Sequence, residues 1–236
     1  MFEKIYEAYD YTWNRGISTV VSEWKEALER RDVQIQLVAL SLVITFYLWF
    51  IPGFFRYIQH RQGVLMYDPI LSHLPAVDLS VYIFGILYLS VIATVFYLLS
   101  RPDRMITGLT GYIILLSLRF LMIYLVPLDP PSKIIRLEDP FIDNFFYVNM
   151  HITKDLFFSG HVSTMFILFL AVDSQRLRQF LITGCVFVAV ILLFQHVHYT
   201  LDVVAAPFLA WFAYKAAEMI HEKLHKLFYQ PRQVTN

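Results

Sequence analysis

The sequence predicts an all-α, polytopic membrane protein with six transmembrane helices and an N-terminal amphipathic helix. Of the 236 residues, 58% are apolar and 16% are charged, whereas soluble globular domains contain about 25% charged residues. The apolar residues gather in runs, and a helix crosses a bilayer with about 20 such residues. These observations exclude a soluble enzyme and a disordered chain.

Charge and cysteine content narrow the function classes further. The 19 Lys and Arg residues balance the 19 Asp and Glu residues, so no net positive charge attracts nucleic acid. Cys185 is the single cysteine, which excludes an internal disulfide and a thiolate metal cluster. We therefore expect no nucleic-acid partner and no metal or other cofactor.

Residues 1–32 have the pattern of an amphipathic helix. Their apolar side chains recur every three to four residues, from Phe2 to Leu28, with Gly16 as a candidate break. The segment holds no long apolar run, so we expect no signal peptide. Two interpretations stay open: the helix lies in the membrane interface or binds a partner, or it packs as a cap over loops of the same chain.

Six apolar runs follow this segment. They are Val33–Ile51, Leu79–Ser100, Met105–Val126, Leu156–Val172, Phe180–Val197 and Tyr199–Ala217. Each has about the 17–25 residues of a spanning helix. We therefore predict a cytoplasmic or interfacial helix over 1–32, a six-helix membrane catalytic domain over 33–220 and a cytoplasmic tail over 221–236, whose end is solvated or faces the lipid headgroups.

The distribution of basic residues predicts the orientation. Most of the 19 Lys and Arg residues lie in the N-terminal segment, the 2–3 loop, the 4–5 loop and the C-terminal region. Because basic residues are enriched in cytoplasmic loops, both termini are predicted to be cytoplasmic. The long 1–2 and 3–4 loops then face the periplasmic, lumenal or exoplasmic side.

Four polar residues inside or beside the spans are predicted to meet on that outer side. Spans four and six both begin there, and they carry His161 near one start and His198 and Asp202 at the other. Arg119 lies about 21 Å along span three, at about 1.5 Å per residue, which places it in the outer third. Because ionisable groups are costly in a bilayer, their convergence indicates a functional site.

The spacing of His198 and Asp202 suggests a chemical role. Residues four apart share a helix face, so the carboxylate can accept a hydrogen bond from one imidazole nitrogen and leave the other as a directed nucleophile. His196 lies six residues from Asp202 and is not expected to be the nucleophile.

Ser159 and Gly160 precede the apolar part of the fourth run. Serine is a favoured N-cap, and the N-terminus of a helix is suited to binding phosphate. Gly160 allows close approach of a ligand to the backbone, so we expect His161 to flank a bound anion opposite His198.

Simpler interpretations exist for each residue alone. His161 can be an interhelical hydrogen-bonding residue, His198 and Asp202 a helix-stabilising pair, and Arg119 a side chain that extends to the interface. Two other functional classes are a transporter with an intramembrane ion path and a metal site formed by His161, His196, His198 and Asp202.

Two motifs resemble those of the sphingomyelin synthase family, a branch of the type 2 phosphatidic acid phosphatase superfamily. They are Asp155-Leu-Phe-Phe-Ser159-Gly160-His161 and His196-Val-His198-Tyr199-Thr200-Leu-Asp202. The segment from Arg119 to Tyr124 resembles the arginine-containing third-span motif. The Lys-x6-Arg-Pro motif of the phosphatases in the superfamily is missing, because the only Arg-Pro pair is Arg101–Pro102, with Thr94 in the lysine position. This departure favours the synthase branch.

The resemblance implies a lipid phosphotransferase with His161, His198 and Asp202 as catalytic residues. It implies a phospholipid donor and a ceramide or diacylglycerol-type lipid as the second substrate. Our hypothesis is that Ser159, Gly160, Arg119 and Tyr199 contact the phosphate. The alternative is a lipid phosphate phosphatase that uses the same residues to hydrolyse phosphatidate or a sphingoid phosphate.

Overall fold

The computed structural model describes residues 2–137 and 152–228, with side chains from residue 16 onward. These residues form a bundle of α-helices and contain no β-strand, which confirms the predicted all-α class. The helices, numbered in chain order, are α1 (Phe2–Glu29), α2 (Arg31–His60), α3 (Pro69–His73), α4 (Ser80–Leu98), α5 (Pro102–Leu125), α6 (Gly160–Ala171), α7 (Gln175–Phe194) and α8 (Thr200–Phe228).

Five of these helices are long and apolar enough to cross a membrane, namely α2, α4, α5, α7 and α8. The fourth predicted span is shorter than expected, because only Gly160–Ala171 is helical within Leu156–Val172. Its 12 residues extend about 18 Å at about 1.5 Å per residue. Because α5, α7 and α8 surround α6, its backbone is buried in protein and does not have to span the lipid.

The N-terminal helix differs from the prediction in one respect. α1 continues through Gly16 without a break, and the chain interrupts the helix at Arg30, where the backbone is extended. Trp24 Nε1 donates a hydrogen bond to the Leu99 carbonyl at 2.7 Å, so α1 packs on the bundle. Ile17 and Val21 are exposed, so part of the apolar face stays available to a membrane surface.

Close packing between α5 and α8 forms the centre of the bundle. α8 presents Ala206, Ala210, Ala213 and Ala217, all fully buried. Small residues at this spacing let two helices in a membrane approach closely. On α5, a Cβ added at Gly111 would lie 3.4 Å from the Cα of Tyr214, so Gly111 has little room for a side chain.

One end of the bundle contains the break between α1 and α2 at Arg30, here called the N-terminal hinge. The α4–α5 and α6–α7 connections and the end of α8 lie at the same end. Arg30 pairs with Asp103 at 2.9 Å, and Arg104 pairs with Asp173 at 2.9 Å. The first part of the predicted tail belongs to α8, which extends to Phe228, and its His225 contacts the buried Asp32. Residues 229–236 of that tail lie outside the described residues.

Candidate active site

The two histidines predicted to meet do lie together, at the end of the bundle opposite the N-terminal hinge. Their ring centroids are 6.4 Å apart. His161 is the second residue of α6, and His198 lies two residues before the start of α8. Both line a cavity of about 400 Å³, so two separate segments present imidazoles to the same space.

Backbone hydrogen bonds hold the two motifs in this arrangement. The Ser159 amide donates to the Asp202 carbonyl at 3.1 Å. The Tyr199 amide donates to Asp202 Oδ2 at 3.0 Å. Asp202 is the third residue of α8, a position from which an acidic side chain often accepts a hydrogen bond from the N-cap amide. Asp202 therefore stabilises its own helix and links it to the start of α6.

The His198–Asp202 pair is buried. His198 Nδ1 lies 3.4 Å from Asp202 Oδ2, and the two side chains are 3% and 0% exposed. This is an ion-pair distance, but not a formed hydrogen bond: within the part of the chain that the structure describes, His198 Nδ1 and Asp202 Oδ1 have no hydrogen-bond partner. Catalytic hydrogen bonds are often long before substrate binds, so the geometry is compatible with the predicted pairing.

Arg119 is buried in the bundle and does not extend to the interface. Its guanidinium donates to the Phe158 carbonyl and forms an ion pair with Asp155. A Cβ added at Gly160 would lie 2.7 Å from Arg119 Nη1. Gly160 therefore leaves room for the guanidinium beside the first turn of α6.

Ser159 caps α6 as the sequence predicts. It is fully buried, and its Oγ accepts a hydrogen bond from the Val162 amide at 3.5 Å. Gly160 and His161, the first two residues of the helix, line the cavity together with Arg119. A helix N-terminus beside a guanidinium is suited to an anion.

Tyr199 and His196 lie elsewhere. The Tyr199 hydroxyl donates to the Asp129 carbonyl at 2.8 Å and accepts from the Met66 amide at 3.2 Å. Both side chains line a second cavity of about 330 Å³. This environment supports a packing role for Tyr199 instead of the predicted phosphate contact, and it separates His196 from the metal-ligand set considered above.

Several residues at the site were not assigned a role from the sequence. Asp155 pairs with Arg119, and Asp155 and Arg136 both line the cavity of the two histidines. The aromatic and aliphatic part of its lining comes from α4 and α5, with Leu87, Tyr88, Val91, Tyr112, Leu115 and Leu116. Asp155 stood within the first motif, but its partner lies 36 residues away in the sequence. Because the two residues are far apart in the sequence, spacing rules do not predict that Arg119 and Asp155 pair.

No group of three or more potential metal ligands occurs among residues 2–137 and 152–228. The cavity instead combines two imidazoles, the guanidinium groups of Arg119 and Arg136 and the half-buried Asp155 with apolar side chains of α4 and α5. This arrangement is suited to a substrate with an anionic head and an apolar body.

Comparison with known families agrees with this chemistry. Residues 154–219 match the family model described as PAP2 superfamily C-terminal, a range that includes both motifs. The match supports the type 2 phosphatidic acid phosphatase superfamily and an enzyme of the phosphatase or phosphotransferase kind that acts on lipids in the membrane. It does not distinguish the sphingomyelin synthase branch. No curated protein and no solved structure matches the chain.

Proposed function

We propose that this protein is an integral-membrane lipid phosphotransferase that moves a phospho-headgroup from a glycerophospholipid to a lipid alcohol. The observation that carries the proposal is the pair of imidazoles, 6.4 Å apart, in a cavity that also contains Arg119 and the start of α6. Both rings can then reach one phosphoryl group, each at hydrogen-bond distance of about 3 Å. The apolar side chains of α4 and α5 suit the body of a lipid.

In the first half-reaction His198 is the nucleophile. Its Nε2 attacks phosphorus, and the bond from phosphorus to the diacylglycerol oxygen breaks. Protonated His161 gives its proton to that leaving oxygen. The product is a phosphohistidine with a positively charged ring, which the Asp202 carboxylate stabilises, while Arg119 and the α6 amides offset charge on the phosphoryl oxygens.

In the second half-reaction the roles reverse. Neutral His161 removes a proton from the primary hydroxyl of the acceptor, whose oxygen attacks phosphorus. The phosphorus–nitrogen bond breaks and restores His198. A ceramide or a diacylglycerol-type lipid supplies such a hydroxyl, and the resemblance of both motifs to sphingomyelin synthases supports a ceramide-like acceptor.

A lipid phosphate phosphatase is the second candidate, and the family match supports it equally. Such an enzyme would use water in place of the lipid alcohol and would release inorganic phosphate from phosphatidate or a sphingoid phosphate. Mass spectrometry after incubation with mixed phospholipids, ceramide and diacylglycerol distinguishes the two. Headgroup-bearing ceramide supports transfer, whereas inorganic phosphate without headgroup exchange supports hydrolysis.

The nucleophile is tested with His198→Ala in proteoliposomes. We expect loss of headgroup transfer to the background rate, because the phosphohistidine cannot form. His196→Asn is the matched control, since His196 is also buried in the same loop but faces the second cavity, and asparagine tolerates its positive φ of 57°. Undiminished transfer by His198→Ala would contradict the proposal.

A further inference from the structure

We infer that Asp68, in the loop between α2 and α4, is a positioning residue that holds the backbone on which His198 lies. The inference rests on the proposed function of His198. Asp68 is 9% exposed and precedes His198 by 130 positions in the sequence. It lines the second cavity and not the cavity of the two histidines, so any effect on the reaction passes through the protein.

The Asp68 carboxylate caps two helices at once. Its Oδ1 accepts from the amides of Ile70 at 3.0 Å and Leu71 at 3.1 Å, which caps the short helix α3. Its Oδ2 accepts from the Thr200 amide at 2.6 Å, and Oδ1 also contacts the Thr200 hydroxyl at 3.1 Å. The loop between α2 and α4 is thereby attached to the first residue of α8.

This contact supplies an acceptor that α8 lacks. The first amides of a helix have no partner within the helix. Asp202 satisfies the Tyr199 amide, and Asp68 satisfies the next one, at Thr200. His198 lies two residues away from Thr200, so the Asp68–Thr200 contact limits the movement of the segment that carries the nucleophile.

The charge of Asp68 strengthens the contact. Burial opposes ionisation of this carboxyl, but the hydrogen bonds from Thr200, Leu71 and Ile70 outweigh it and lower the pKa of Asp68 below its ordinary value. A carboxylate is also favoured at a helix N-terminus by the helix dipole.

The experiment separates the two caps. Asp68→Ser retains an N-cap for α3, since serine is a favoured N-cap, but its single, shorter oxygen does not also serve Thr200. We expect kcat for headgroup transfer to fall about tenfold or more, as small displacements of reacting groups have effects of that size. The KM for the phospholipid donor should stay within about twofold, because Asp68 does not line its cavity.

Thr200→Pro breaks the same contact from the other side. Proline is accepted at the first helical position, and the substitution removes both the amide and the hydroxyl that bind Asp68. We expect the same loss of kcat. Asp173→Ser is the matched control, because Asp173 is an exposed carboxylate at the opposite end of the bundle that pairs with Arg104; its kcat should equal that of wild type.

Three results would overturn the inference. Wild-type kcat in Asp68→Ser, with a loss only in Asp68→Ala, would mean that the cap of α3 alone matters. If the thermal stability of Asp68→Ser falls enough to explain all of its lost activity, Asp68 has a purely structural role. If KM for the donor rises by the same factor by which kcat/KM falls, Asp68 acts in substrate binding. His198→Ala run in parallel separates the two proposals: if it is inactive while Asp68→Ser is normal, only the role of Asp68 fails.

Discussion

Asp202 has partners that serve two different purposes. Its Oδ2 accepts from the Tyr199 amide and lies 3.4 Å from His198 Nδ1, while its carbonyl accepts from the Ser159 amide. The side chain therefore shapes the start of α8 and also places a negative charge beside the proposed nucleophile. A substitution that removes only the charge separates these two purposes.

We expect Asp202→Asn to lower headgroup transfer by about 100-fold or more, by analogy with carboxylates that orient a catalytic histidine. Asparagine keeps the shape and an oxygen for the Tyr199 amide, but it has no charge to stabilise a positively charged imidazole. The measurement is kcat in proteoliposomes, with thermal unfolding recorded in parallel. Asp173→Asn, an exposed acid at the opposite end, is the control, and a near-wild-type rate for Asp202→Asn would contradict the role.

Sequence spacing predicted the residues of this pair but not all of their contacts. A separation of four residues predicts one shared helix face, but His198 lies two residues before the start of α8. Its Nδ1 is 3.4 Å from Asp202 Oδ2, without a formed hydrogen bond. The partners of Arg119 were not predicted, because Asp155 and the Phe158 carbonyl come from another segment. The contact between Asp68 and Thr200 was not predicted for the same reason, although Asp followed by Pro69 is a recognisable helix start.

At the scale of helices, a buried charged cluster joins α1, α2 and α8. Asp32 is 0% exposed, pairs with Arg30 at 2.8 Å and lies 3.1 Å from His225 Nδ1. Hydrogen bonding to Asp32 is the largest influence on Arg30 and raises its pKa above the ordinary value. The cluster attaches the end of α8 to the hinge between α1 and α2.

We expect Asp32→Ala to destabilise the protein by about 2 kcal/mol, because it removes the buried carboxylate that accepts hydrogen bonds from Arg30 and contacts His225, while Arg30 keeps its pair with Asp103. The thermal unfolding midpoint in detergent measures the effect. Glu26→Ala, which removes an exposed acid of α1, should leave the midpoint unchanged. An unchanged midpoint for Asp32→Ala would show that this cluster does not stabilise the bundle.

The short helix α6 shows why hydropathy overestimates some elements. Leu156–Val172 has the composition of a spanning helix, but Leu156 and Phe158 are buried without being helical. Hydropathy measures burial in any apolar environment and not the backbone conformation. The Ser159 cap was present in the sequence and marks the true start.

For the whole molecule, we predict that the end with the N-terminal hinge faces the cytoplasm and the candidate active site faces the opposite side, since basic residues favour the cytoplasm. In sealed vesicles of known orientation, a membrane-impermeant maleimide should label Lys25→Cys only from the cytoplasmic side and Ser72→Cys only from the other side. Both positions are exposed, whereas the native Cys185 is 3% exposed and serves as the internal control. Labelling of both from one side would contradict this topology.

The linear chain by itself determined the membrane class, the order of the apolar segments and the two motifs, since these depend on composition and on spacing within one helix turn. Only the tertiary structure decided which carboxylate accompanies Arg119, that Asp68 binds the start of α8, and which cavity Tyr199 faces. The physical reason is that these features depend on contacts between segments that are tens to more than a hundred residues apart. Local sequence patterns do not determine such contacts.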